Sequence, residues 1–133
     1  MKAFVKLLPS IAWFTIILYL LTLPGSDLPK IGWMDYIYGD KLIHMGLFFM
    51  LTFLFFWGIV STKPGLFSKK TIFIIALFGL AYGIAMEFVQ KYWIPNRSFD
   101  VWDILADGVG SFLPLLFIGR MKKLFRVKAN ERL

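Results

Sequence analysis

Asp40 and His44 stand four residues apart, Glu87 and Gln90 three apart, and Asp100, Asp103 and Asp107 follow at i, i+3 and i+7. On helices each set shares one face, because a period of about 3.6 residues returns such positions to the same side. Carboxylates around one imidazole can orient it for general acid–base work, and carboxylates in one stripe can hold a hard divalent cation through oxygen. His44 and Glu87 are therefore the candidate catalytic groups. Asp40, Lys41, Gln90, Arg97, Asp103 and Asp107 are candidates for ligand contact, and Asp100, Asp103 and Asp107 are candidate metal ligands.

Each residue also has a plainer reading. Asp100 or Ser98 can cap a helix amino terminus. Arg97 can anchor at an interface or bind a phosphate or carboxylate beside a helix start. His44, the single histidine, can be an ordinary packed and hydrogen-bonded residue, and Glu87, Asp103 and Asp107 can be polar glue between helices.

The elements that position these groups are apolar. The 133 residues are 59% hydrophobic and 17% charged, with a mean hydropathy of +0.71, which points to a bilayer rather than a soluble domain. Hydrocarbon about 30 Å thick needs roughly 17 to 25 helical residues. Four segments qualify: Leu7 to Leu23, Leu42 to Val60, Thr71 to Gln90 and Val101 to Ile118. The expected fold is thus all-α, a polytopic four-transmembrane-helix bundle forming one domain over 1–133, with a basic tail over 119–133. The amino terminus also resembles a signal peptide, but its apolar run is long for one and TLPGS offers no clean cleavage site, so a retained first helix is the better reading. Without cysteine there is no disulfide, thiol nucleophile or thiolate metal site.

Charge sets an orientation. With a cytoplasmic amino terminus and alternating helices, Lys2, Lys6, Lys63, Lys69, Lys70, Arg120, Lys122, Lys123, Arg126, Lys128 and Arg132 fall inside, against Lys30, Lys41, Lys91 and Arg97 outside. Both termini are then cytoplasmic. The net charge of +7 is explained by this one-sided anchoring on anionic lipid, not by nucleic acid. Trp33, Tyr36, Tyr38, Tyr92, Trp93 and Trp102 map to the outer interface as an aromatic belt. At about 1.5 Å per residue, His44 and Glu87 lie about 6 Å below that interface and Asp107 about 10 Å. An outward-facing water-filled pocket is the simplest geometry that accommodates polar groups reaching such depths from three helices. Gly79, Gly83 and Glu87 recur every four residues, joining a close-packing stripe to the carboxylate, and Pro114 is expected to kink the last span.

The stretches DKLIHMGLFF, EFVQ and RSFDVWDILADGVG, taken in order, resemble the VanZ-like membrane proteins. On that resemblance Asp40, Lys41 and His44 match a first motif, Glu87 and Gln90 a second, and Arg97, Asp103, Asp107 and Gly110 a third. Asp107 stands where the family often has Asn, and Pro114 where a second glycine is common. The resemblance implies a bacterial cytoplasmic-membrane protein of the cell envelope, in a family named for a member associated with teicoplanin resistance.

Three functions compete on these residues. One is a pocket that engages a lipid-linked envelope precursor or lipoglycopeptide at the outer leaflet, with Arg97 and Lys41 meeting anionic groups. The second is a membrane-embedded hydrolase or transferase acting on a lipid headgroup, with His44 or Glu87 as general base and a divalent cation as cofactor. The third is a small proton-coupled carrier, for which a homo-oligomer would have to complete the path, since the inner half is apolar. Membrane lipids are the expected partners in all three.

Overall fold

Among the described residues four long helices form, and local chemistry sets most of their ends. In the computed structural model, which describes residues 2–27, 32 and 39–123, α1 is Lys2–Leu21, α2 is Gly39–Thr62, α3 is Lys69–Trp93 and α4 is Val101–Phe112. Ser68 starts α3, its hydroxyl accepting from the Thr71 amide at 3.1 Å, and Asp100 starts α4, its carboxylate accepting from the Trp102 amide at 2.8 Å. α3 stops at Trp93 because Ile94 precedes a proline and turns extended, at φ −104° and ψ 120°. Asn96 then takes a left-handed φ of 57°, which asparagine tolerates better than most residues.

The expected disturbance at Pro114 takes a specific form. α4 gives way to a tighter 3₁₀ segment at Leu113–Phe117, where a proline lacking an amide hydrogen is accommodated, and helix resumes over 118–123. The whole of Val101–Lys123 is long and apolar enough to cross a membrane, as are Phe4–Leu21, Gly39–Thr62 and Lys69–Trp93. The helices exceed the apolar runs at most ends, because hydrogen-bonded turns continue into polar flanks such as Gly39 to Lys41. Lys30, Trp33, Tyr36, Tyr38 and the tail residues Arg126, Lys128 and Arg132 lie outside the described residues.

α2 is the central helix, packing most extensively on α4 and then on α1, while α3 rests mainly on α4. Glycines make the two contacts with α4 close. A Cβ at Gly110 would collide with the Met45 carbonyl oxygen of α2. A Cβ at Gly79 or Gly83 would lie 2.5 Å from Ser111 Oγ or Asp107 Oδ2, so the expected close-packing stripe of α3 receives α4. Two apolar clusters fill the bundle, Ile17, Leu21, Phe48, Leu51 and Met86 near one end and Phe56, Val60, Ile72 and Met121 near the other. The exterior stays apolar, with Leu116 and Phe78 more than two-thirds exposed, as a surface facing hydrocarbon requires.

Gly110→Val forces α4 off the α2 backbone and should cost about 1–3 kcal/mol, lowering the melting temperature in detergent. Gly46→Ala, whose added Cβ meets nothing within 4 Å, should leave it unchanged or raise it slightly.

Candidate functional site

The carboxyl end of α1, the amino end of α2, the carboxyl end of α3 and the amino end of α4 meet at one end of the bundle, and the polar residues gather there. Because α2 and α4 start at this end, their first turns deliver Asp40, Lys41 and His44 opposite Asp100, Asp103 and Asp107. Lys41 Nζ lies 2.5 Å from Asp100 Oδ2, 2.5 Å from Asp103 Oδ1 and 2.8 Å from Asp40 Oδ2. The Asp40 contact is on the rim, with that side chain 62% exposed, and contributes little; those to Asp100 and Asp103 tie α2 to α4. Lys41 was expected to meet a ligand anion, yet three carboxylates already surround it.

One turn deeper, His44 Nδ1 lies 2.9 Å from Asp107 Oδ1, and both residues are buried. The pairing fixes the ring and turns Nε2 toward Asp103, whose Oδ2 at 3.9 Å is too distant for a hydrogen bond. An imidazole held at one nitrogen by a carboxylate, with the other nitrogen free of close contact, is equipped for proton transfer. Asp107 Oδ2 is buried without a hydrogen-bond partner among the described residues.

Glu87, a candidate catalytic group, and Gln90, a candidate ligand contact, each make a hydrogen bond that holds a helix end. Glu87, 1% exposed, accepts the Asp100 amide at 2.7 Å, so it clamps the start of α4 to the end of α3 and commits one carboxylate oxygen to that bond. Gln90, also 1% exposed, donates to the Leu21 carbonyl at 3.0 Å and so satisfies an open acceptor at the end of α1. Both bonds hold helix ends in place, and the second Glu87 oxygen carries no hydrogen bond among the described residues. The loop after α1 joins the same assembly through the Gly25 amide, which donates to the Pro95 carbonyl at 3.1 Å.

The candidate metal ligands are split between two partners. Asp100 and Asp103 turn to Lys41, whose ammonium stands where a cation would bridge them, while Asp107 turns to His44. Among the described residues, no three His, Asp or Glu side chains converge as a metal site. Arg97 remains apart: among the described residues it has no ion pair, and its Nε is buried without a hydrogen-bond partner.

Among the described residues, Thr52, Ser111 and Tyr82 carry further buried hydroxyls without hydrogen-bond partners. Ser111 continues the Asp107 stripe by one turn, but Thr52 and Tyr82 escaped the sequence reading. Thr52 lies two turns below His44 on the same face, which was the available signal. Tyr92, Trp93 and Trp102 stand exposed around this end, as an aromatic belt would.

These features define a helical, multi-pass membrane-type bundle with a polar cluster at one end. No family model matches the chain, and no solved structure matches it. Over 77 residues, 58% of its length, the chain is 36% identical to an uncharacterized protein of Schizosaccharomyces pombe. The match spans 44% of that yeast protein, less than half its length. These findings correct the VanZ-like resemblance: no family model supports it, and a eukaryotic relative points away from a bacterial family. The three motifs are short, and a helical period alone brings residues three or four apart onto one face. The bacterial setting and the link to glycopeptide resistance rested on that resemblance and go with it.

The hydrogen bond from Lys41 holds the Asp100 carboxyl below the usual carboxylate range, against the opposing effect of burial. A depressed folded-state value stabilises the fold above the unfolded pKa, about 3.9, and that stabilisation is lost as pH falls through the lower folded value. Lys41→Met should lower stability by about 1–3 kcal/mol near neutral pH, less than for a fully buried pair because the ammonium keeps some solvent access. Melting followed from pH 6 to about 3 should show the wild-type advantage over Lys41→Met shrinking at the acid end.

Proposed function

We propose that the polar cluster receives the headgroup of a membrane lipid or lipid-linked molecule, with Arg97 binding its phosphate and the exposed Asp40 carboxylate on the rim meeting its ammonium or hydroxyl donors. The observation that carries this reading is Arg97, a guanidinium with no ion pair among the described residues beside a group of carboxylates otherwise engaged. A fork of N–H donors next to the first turn of α4 suits a phosphate, while the surplus of negative charge beside it disfavours a purely anionic headgroup. The asymmetry of basic residues supports an orientation in which the cluster opens away from the cytoplasm. The exposed aromatics at this end suit the headgroup level.

The His44–Asp107 pair favours a second reading of the same site, in which the chain is a hydrolase or transferase acting on the bound headgroup with His44 Nε2 as general base. It requires turnover, which binding alone does not.

Retention of phosphatidylethanolamine by the purified protein, measured by native mass spectrometry, tests the first reading. Arg97→Ala should reduce it about tenfold, the worth of one charge-assisted contact, and Arg97→Lys should restore part of it. Phosphatidic acid should be held less well than phosphatidylethanolamine. Equal retention by wild type and Arg97→Ala would refute the assignment. For the second reading, products released from that lipid by wild type should disappear in His44→Ala, and absence of products from wild type removes the enzymatic role.

A further inference from the structure

The end of the bundle away from the polar cluster, where α1 and α3 begin and α2 and the fourth span finish, carries charge of one sign. Lys63, Lys69, Lys70, Arg120, Lys122 and Lys123 stand exposed there, whereas every Asp and Glu side chain among the described residues lies at or next to the other end. None of these cations has an ion pair among the described residues.

Packing holds their backbones in place. Lys6 Nζ donates to the Ser61 carbonyl, and a Cβ at Gly58 would lie 2.9 Å from the Lys6 carbonyl oxygen, so the start of α1 is fixed against the end of α2. Between Lys63 and Lys69 the chain makes a tight 3₁₀ turn, in which the Leu66 amide donates to the Lys63 carbonyl at 3.0 Å and the Phe67 amide to the Pro64 carbonyl at 3.1 Å. The Phe67 ring seats that turn on Phe56, with centroids 5.3 Å apart. Met121 is buried in the same cluster, against Phe56, Val60 and Ile72, so the helical turn carrying Arg120, Lys122 and Lys123 rests on the base that also supports the start of α3.

Such an arrangement selects by valence. Clustered ammonium groups repel one another, and at the headgroup level of a bilayer their counter-charge must come from lipid. Monoanionic lipids supply it one at a time, each losing its own freedom for a single contact. A headgroup with two phosphates, once held at one, presents the second at high effective concentration. The absence of acids leaves nothing to attract the ammonium of a zwitterionic headgroup. Sidedness of charge alone asks only for some anionic lipid; fixed cations from separate chain segments ask for several charges on one molecule.

We infer that this end is a binding site for a phospholipid bearing two or more phosphates, held between the α2–α3 turn and the end of the fourth span. The site lies at the far end of the bundle from Arg97 and His44, so the inference does not rest on the headgroup reading.

The test uses the full chain in phosphatidylcholine nanodiscs, titrated with a phosphatidylinositol bisphosphate, with cardiolipin and with phosphatidylserine at matched total lipid charge. Retained lipid is counted by native mass spectrometry. Wild type should hold a two-phosphate lipid about tenfold better than phosphatidylserine. Lys69→Gln with Lys70→Gln, and separately Lys122→Gln with Lys123→Gln, should each lower that retention about threefold while melting stays unchanged, because these side chains are exposed. Lys91→Gln, at the other end, should leave retention as it is. Soluble inositol trisphosphate should displace the lipid from wild type, a readout that needs no variant. Equal retention of phosphatidylserine, no displacement by the soluble headgroup, or a preference that survives in the variant carrying all four substitutions would each overturn the site and leave only general anchoring. Comparison of the two lipids identifies the source: stronger retention of the inositol lipid places the phosphates on a sugar, stronger retention of cardiolipin places them on a glycerol bridge, and the two-phosphate assignment stands in both cases.

Discussion

One ammonium group holds the polar end of the bundle together. Lys41 Nζ lies against carboxylates from its own helix and from α4, and without it Asp100 and Asp103 of α4 would stand beside Asp40 of α2 with no shared cation. Loss of that attraction would weaken the contact between α2 and α4, the most extensive among the described elements. Gly110 answers the same demand from the backbone side, since the short reach between these charges exists only where the two helices lie nearly in contact. Charge compensation and glycine packing are two expressions of one constraint, that polar groups in a helical bundle within hydrocarbon must find their partners in each other.

Around that contact, the remaining polar side chains close helix ends. Glu87 takes the amide at the start of α4, Asp100 caps the same helix while pairing with Lys41, and Gln90 takes a carbonyl at the end of α1. Once these are counted, the groups without a hydrogen bond among the described residues include His44 Nε2, the second oxygens of Asp103, Glu87 and Asp107, and Arg97 Nε. Chemistry at this end would draw on that set, a narrower one than the number of ionisable residues suggests.

Much of this was legible in the sequence, and the reasons differ by residue. Apolar length alone announced four spans, because hydrocarbon thickness sets a minimum that few soluble helices meet. Helical period put Asp103 and Asp107 on one stripe and Asp40 with His44 on another, and depth brought the stripes to the same level. The cap at Asp100 was readable from residue type. Partner choice was not, because periodicity gives a face and not a neighbour: Lys41 draws the carboxylates that would have held a metal, and Gln90 looks toward α1. Thr52 and Tyr82 were hidden by apolar surroundings, where a single hydroxyl leaves periodicity unchanged. The motif resemblance failed for a related reason, since short polar motifs reflect local geometry as readily as ancestry.

The pairing of residues 62 and 63 positions apart in the chain bears on how the protein is assembled. α2 enters the membrane carrying Lys41 and His44 well before α4 has been synthesised, and α4 arrives with Asp103 and Asp107. Each such group costs up to about 2.5–3.5 kcal/mol at the centre of an inserted helix and less near its end. Association of the second and fourth spans offsets that cost, so these two helices gain more from meeting than their apolar surfaces alone would give.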